Sequence, residues 1–463
     1  MLYNLSVGPI DSFDSLSPID YRYFEASLTP YFSDRGFLQY KMKVELALVK
    51  ALAKRGIAPE SVVVEIEGAC KKVTSEAVYV EEENIKHDIR AMVNVIRANV
   101  SDAAKPYVHM TATSYDIIDT ANAARFRDAT LDILVPALKE LEKTLISIAI
   151  REAESIEVGR THGQHAVPIT FGFAISGYVS RLGGSILALE ELAKGLRGKF
   201  SGAVGAYNAS ALFFDDPEAF ERDILAELEL EPSEQSTQIT QPEPMARLMT
   251  EVTIAMGIMA NLADDMRALQ RSEIGEIGEE FEAAQVGSST MPQKRNPINF
   301  ENVKSFWKIV LPRILTVFMD QISEHQRDLT NSASSRTYGE TIAYTLSAAK
   351  RLTRTLSKLK VDSANLQKNL GMGQGSVAAE PLYILLASLG HPDAHEKVRN
   401  LTLLAQKDGK SLEEAAFADA EMKPYLDKMT DAQKGILKDP GTYTGIAAKK
   451  AKKVAEHWRD TLA

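Results

Sequence analysis

Long apolar segments with helical spacing limit what this chain can fold into more than any other feature. Residues 246–269, "ARLMTEVTIAMGIMANLADDMRAL", run as one mostly apolar helical pattern with a single internal glycine. Residues 302–321 form another, with Pro312 placed to kink it, and residues 338–359 a third. Leu38, Met42, Leu46, Val49 and Ala53 recur about every 3.6 residues. That pattern stops at "KRG", a basic last turn followed by glycine. A further pattern follows Pro168, and its glycines and alanines permit close helix approach. Helices this long and apolar are hard to cover within one subunit, so they read as bundle helices partly buried against other copies of the chain. Alternating strand patterns are scarce. "ESVVVEIE" is the best strand candidate, inside a helix-forming context. The expected fold class is all-α.

The chain has 463 residues, enough for two to four domains at roughly 100–200 residues each. Three helical domains are expected: an N-terminal one over 1–110, a central long-helix bundle over 111–362, and a C-terminal one over 363–463. "SDAAKPYVHMTATS" (101–114) reads as the first join. With 53 basic and 63 acidic residues the net charge is -10, which argues against nucleic acid or an anionic membrane as partner. The single cysteine, Cys70, excludes an intrachain disulfide and a multi-cysteine metal site, and fits a reducing compartment. "MLYNLSVGPIDSFD" has no basic and apolar leader pattern. The longest uncharged stretch, 161–180, holds His, Gln, Pro and Gly, unlike a lipid-facing span. A cytoplasmic location is expected.

Polar, helix-breaking stretches interrupt the helical patterns: "HMTATSYD" (109–116), "GRTHGQHAVP" (159–168), "STQITQPEP" (236–244) and "GSSTMPQKRNP" (287–297). "IKHDIRA" (85–91) adds a histidine beside an aspartate within a helical pattern. Together these stretches hold four of the eight histidines, with clustered Thr, Ser, Gln, Asn and Lys. Such groups suit carboxylate binding and proton transfer without a metal or cofactor. No metal-ligand pattern is supported, since His162 and His165 have the spacing but no partner carboxylate. "GMGQGSV" lacks the Lys-Ser/Thr ending of a P-loop, and no GxSxG elbow occurs.

"GSSTMPQKRNP" resembles the GSSxMPxKxNP loop of the fumarase/aspartase superfamily, "TSYDIIDTA" its TSxDxxDTA stretch, and "KFSGAVGAY" its KxSGAVGTxA segment. Within that superfamily, "GRTHGQHAVPITFG", "HDIRA", the opening "LSPIDYRYFEASLTPYFSDRGFLQYKMKVELA", "QRDLTNSASSR" and "VAAEPLYILLASLG" are most similar to the adenylosuccinate lyases. The similarity covers nearly the whole chain. It implies a homotetramer with active sites shared between subunits, a small nucleotide substrate and a β-elimination that releases fumarate. Matching residue by residue, Ser288 is the implied base and His162 the acid that protonates the departing nitrogen. Thr113, Ser114, Thr161, Gln238, Lys294 and Asn296 match positions that hold the substrate carboxylates. Arg22, Tyr23, His87, Arg327, Ser332 and Arg336 match positions contacting the nucleotide and its phosphate, with Asp88 beside His87. The chemistry is consistent. A serine is a poor base unless positive surroundings favour its ionised form, and Lys294 and Arg295 supply cations nearby. Arginine suits phosphate, and imidazole suits a general acid near neutral pH.

The chain also departs from the pattern. Thr111 stands where the family has glycine, the 241–247 stretch lacks a basic RDR, and Ala206 replaces threonine. His165 reads either as support for the site or as a packing residue. His391, His395 and His457 read as members of solvated helix faces. Two other readings stay open: a superfamily lyase acting on a different N-succinyl compound, and a catalytically silent helical scaffold.

Overall fold

The computed structural model describes residues 15–280, 290–291, 293–373 and 375–463. The helices are α1 (Asp34–Lys54), α2 (Glu60–Cys70), α3 (Ser75–Ile85), α4 (Asp88–Ala98), α5 (Ser114–Ala129) and α6 (Val135–Arg151). A hairpin of β1 (Ile156–Thr161) and β2 (Gln164–Thr170) follows. Then come α7 (Phe171–Lys194), α8 (Pro217–Ala226), α9 (Glu243–Leu269), α10 (Ile298–Met319) and α11 (Tyr338–Leu356). The chain finishes with α12 (Ser363–Gly371), α13 (Ala379–Ser388), α14 (Ala394–Asp408), α15 (Leu412–Ala418), α16 (Asp431–Lys438) and α17 (Ala447–Thr461). The long patterns read from the sequence are α1, α7, α9, α10 and α11, with Pro312 inside α10. The helical class holds.

The chain divides into two compact units. Unit 1 takes residues 1–138, 185–257 and 305–350; unit 2 takes 139–184, 258–304 and 351–463. In unit 1, α1 packs on α2, α5 and α8. Val44, Leu48, Leu52, Ile66, Ile89, Met92 and Phe126 are buried there. Ser33 caps α1 by accepting from the Gly36 N–H at 3.0 Å. The other end of α1 is tied to α8 by Arg55, which forks onto Asp223 at 2.9 and 2.6 Å.

The strand candidate "ESVVVEIE" is a helix, α2. Val62, Val63, Ile66, Ala69 and Cys70 are buried while Val64 is exposed. That spacing has the helical period; a strand would have put Val62, Val64 and Ile66 on one face.

In unit 2, α12 packs on β1 and α17 on β2. Gly172 lets α7 approach α6: a Cβ there would lie 2.4 Å from the Ala149 carbonyl oxygen. The close approach expected of the small residues after Pro168 is thus present. The C-terminal helices bury Leu382, Leu386, Val398, Leu401, Leu412, Met422 and Leu426 in one cluster. His391 departs from its expected solvated face. It is buried, its Nδ1 accepts from the Asp393 N–H at 3.1 Å, and its ring contacts Tyr425.

Candidate active site

Where they are described, the polar stretches do break the helices, and their residues fall into two sets, one in each unit. In unit 1, residues 109–113 form a turn that leads into α5. His109 and Thr111 both adopt left-handed backbone, at φ +63° and +68°. That region is strained for a β-branched residue and free for glycine, which gives a physical reason for the family's glycine at position 111. The Thr111 hydroxyl is buried without a hydrogen-bond partner among the described residues. Glu45, fully buried on α1, accepts from the His109 N–H at 3.1 Å and meets its Nδ1 at 2.6 Å. Burial pulls the His109 pKa down, but the Glu45 charge and hydrogen bond more than offset it, so the imidazolium is favoured. Thr113 and Ser114 open α5, and the Asp116 carboxylate accepts from the Thr113 N–H at 2.8 Å. Asp116 is itself paired, with no exposure on either side, to the Lys199 ammonium of the "SGAVG" segment.

The segment holding Gln238 joins the one holding Arg327, because the Gln238 N–H donates to the Gln326 carbonyl at 3.2 Å. Asp119, farther along α5, accepts from the Thr240 N–H at 2.8 Å. Burial pushes the Asp119 carboxyl up to about 6, with the Thr240 N–H, Lys199 and Arg327 offsetting only part. Arg327 lies 4.0 Å over the Tyr115 ring, donates to its hydroxyl, and donates to Asn331 at 2.8 Å.

His87 sits at the break between two helices rather than inside one. Lys86 is left-handed at φ +58° and ends α3; the His87 Nδ1 then caps α4 by accepting from the Arg90 N–H at 3.3 Å. Asp88 lies 3.7 Å from both His87 and the Lys41 ammonium. Burial lowers the Lys41 pKa, Asp88 opposes the drop, and Arg336 and Arg125 add to it. Arg336 therefore lies in the electrostatic reach of the His87–Asp88 corner. Arg336 and Ser332 are exposed, as is Arg22. Tyr23 packs edge-on against Phe306 with ring centroids 4.8 Å apart.

In unit 2, His162 stands at the tip of the β1–β2 hairpin. Thr161 pairs with Gln164, leaving a two-residue turn with His162 at φ +54° and Gly163 at φ +71°. Two left-handed central residues are what a type I′ turn requires, and its twist matches paired strands. Thr161, His162 and His165 are exposed. The hairpin is anchored just below its tip: Arg160 forks onto the buried Glu276 at 2.8 and 2.6 Å, and the Asn369 amide donates to Glu276 at 2.9 Å. Glu157 is buried on β1; burial, then Glu276, pushes its carboxyl up to about 8.

Ser288, the implied base, lies outside the described residues. The segment that follows it is anchored. Glu279 caps α10 by accepting from the Asn299 N–H at 3.0 Å, the Asn299 amide at 2.7 Å and the Phe300 N–H at 3.2 Å. Lys294 is exposed, its N–H bonded to the Met291 carbonyl at 3.1 Å, and the Asn296 carbonyl accepts from Ile298 at 2.9 Å.

Sequence reasoning gave no role to Glu45, Lys41, Tyr115, Asp119 or Glu276. Glu45 did carry a signal, since it lies within the apolar stripe of α1 between Met42 and Val49 and a carboxylate there needs a partner. Among the described residues no cluster of His, Cys, Asp and Glu is arranged to hold a metal ion. No helix there is long and apolar enough to cross a membrane.

The fold is helical, and the families that match it are lyases. Residues 25–311 match the family described as "Lyase", and residues 323–433 match "Adenylosuccinate lyase C-terminal". A solved fumarate lyase from Mesorhizobium sp. BNC1 shares the fold, with a TM-score of 0.82 at 24% identity over 94% of this chain and 98% of that one. The 3-carboxy-cis,cis-muconate lactonizing enzyme of Pseudomonas putida superposes with a TM-score of 0.83 at 28% identity, over 96% and 99%. The adenylosuccinate lyase of Pyrococcus horikoshii is 35% identical over 96% of this chain and 98% of its own length. That of Archaeoglobus fulgidus is 33% identical over 96% and 99%. The chain belongs to the adenylosuccinate lyase family.

Proposed function

We propose that this enzyme is a C–N lyase that cleaves adenylosuccinate to AMP and fumarate, and the succinylated imidazole-carboxamide ribotide to its carboxamide product and fumarate, in purine biosynthesis. Ser288 removes the proton from the carbon next to a carboxylate, and His162 protonates the nitrogen as the C–N bond breaks. Thr113, Ser114, Thr161, Gln238, Lys294 and Asn296 hold the two carboxylates and the charge that develops on one of them. Arg22, Tyr23, His87 with Asp88, Arg327, Ser332 and Arg336 hold the nucleotide. The reaction needs no metal or cofactor, because elimination next to a carboxylate requires only a base, an acid and donors for the developing oxyanion.

The observation that carries this reading is His162. It stands exposed on a two-residue turn whose strands are fixed from below by the Arg160–Glu276 fork. An imidazole presented this way is open to a partner. The whole-length similarity to adenylosuccinate lyases supplies the substrate.

We further propose a cytoplasmic homotetramer with sites shared between subunits, its subunits organised as the three helical domains 1–110, 111–362 and 363–463. In unit 1, Leu311, Leu315, Phe318, Met319 and Ile322 are exposed at helical spacing, Met319 at 73% and Ile322 at 79%. An apolar stripe of this kind is suited to burial against another copy.

A substrate panel followed by ultraviolet detection of fumarate tests the reaction: adenylosuccinate, the imidazole ribotide, argininosuccinate, aspartate and malate. Turnover of neither nucleotide overturns the proposal. Ser288→Ala is expected to abolish turnover while the oligomer and substrate binding persist; a near-full rate would remove Ser288 as the base.

A further inference from the structure

Tyr115 and Asp119 lie four positions apart on α5, so their side chains share one helix face. Each engages a different ligand-holding segment of unit 1. Asp119 accepts from the Thr240 N–H at 2.8 Å, with the Thr240 hydroxyl at 3.4 Å, two residues beyond Gln238. Tyr115 has the Arg327 guanidinium carbon over its ring, 4.0 Å from the centroid, and accepts from it through the hydroxyl. The two segments are joined at their far side, where the Gln238 N–H donates to the Gln326 carbonyl at 3.2 Å. A closed circuit results: α5, Asp119, Thr240, Gln238, Gln326, Arg327, Tyr115 and α5 again.

The circuit leaves donor capacity of Arg327 unused among the described residues. One terminal nitrogen of Arg327 is taken by Asn331 at 2.8 Å and the other by Tyr115. The Nε is buried and donates to no described residue. A guanidinium held by a ring contact and two hydrogen bonds, with its Nε–H unused, is a preorganised anion contact rather than a structural salt bridge. No carboxylate makes an ion pair with it among the described residues.

We infer that the Tyr115–Asp119 face of α5 is a positioning platform, with Tyr115 setting the Arg327 guanidinium and Asp119 setting the Gln238 segment. One turn of helix would then fix the span between the group that takes the phosphate and the group that takes a carboxylate. Neither residue touches substrate; each acts through another. The inference deepens the proposed reaction and rests on it for the roles of Arg327 and Gln238.

The test compares kcat and KM of the full-length enzyme on adenylosuccinate and on its 5′-dephosphorylated counterpart. Tyr115→Leu removes both the stack and the hydroxyl contact. It is expected to raise KM for the phosphorylated substrate about tenfold, with kcat within about threefold. The preference for the phosphorylated compound should shrink by the same factor. Tyr115→Phe, which keeps the stack, should lose less. Asp119→Ala should lower kcat/KM on both compounds alike, and Asp119→Asn, whose amide oxygen still accepts from Thr240, should restore most of it. An unchanged phosphate preference in Tyr115→Leu overturns the platform, as does an Asp119→Asn variant no better than Asp119→Ala. Calorimetric binding of AMP against adenosine reads the same phosphate contrast without turnover. A wild type that cleaves neither compound therefore sinks the proposed reaction, while the AMP–adenosine comparison still decides the platform.

Discussion

Several groups of the candidate site are held differently in the two units. In unit 1 the polar groups are tied to one another: His109 to Glu45, Thr113 to Asp116, Arg327 to Tyr115 and Asn331. In unit 2, Thr161, His162 and Lys294 are exposed, and the rigidity lies one layer behind them. There the Arg160–Glu276 fork and the Glu279 cap fix the backbone that carries them. For Arg327 and His162 the difference matches the task proposed for each. A group that holds a phosphate or a carboxylate gains from being fixed before the ligand arrives. A group that moves a proton must keep its own nitrogen or oxygen free, so only its support can be bonded.

Substitutions separate these two arrangements. The largest effect should come from His162→Ala, where loss of the acid costs about 10²–10⁴ in kcat with little change in KM. Steady-state kinetics check this. A loss expressed mainly in KM would place His162 with the binding groups and erase the contrast between the units. Glu276→Ala leaves Arg160 without its buried partner. It should cost about 3–5 kcal/mol in urea unfolding, with kcat falling because the hairpin tip shifts. Unchanged stability would show that the hairpin is held some other way.

A pH effect of intermediate size belongs to unit 2. Glu142 is buried on α6 with no partner for either carboxylate oxygen among the described residues, and burial pushes its carboxyl from 4.5 up to about 8. The folded chain keeps a proton that the unfolded chain releases. Stability is therefore full below about 4.5 and falls as pH rises toward about 8, at roughly 1.4 kcal/mol per unit at most. Thermal melts from pH 5 to 8 should show this decline, and Glu142→Gln should flatten it. Thr111→Gly should have the smallest effect. Relief of left-handed strain is set against added unfolded-state freedom, and the net gain is about 1 kcal/mol. The melting temperature should rise slightly, and a fall would mean that the threonine side chain contributes packing that outweighs its strain.

Much of this was legible in the residue order. The long helices α9, α10 and α11 announce themselves by period, and the polar stretches between helical patterns carry many of the proposed site residues. The misreadings share a cause. "ESVVVEIE" has the composition of a strand, yet its burial follows the helical period because α1 covers one face of it. The hairpin at 156–170 was not anticipated, although "IEVGRT" and "QHAVPIT" flank a His-Gly pair that suits a type I′ turn. Short strands give little periodicity, and each becomes stable only when paired. His87 looked helical because residues on both sides are; only the left-handed Lys86 reveals the break.

By itself the sequence determined the helical class, the positions of the polar interruptions and the residue types available for elimination chemistry. Spacing and composition encode these locally. The tertiary structure alone decided what holds each group. Arg160 meets Glu276 across 116 positions, and Arg327 meets Tyr115 across 212. Contacts over such separations follow from how the helices pack, which no local pattern records.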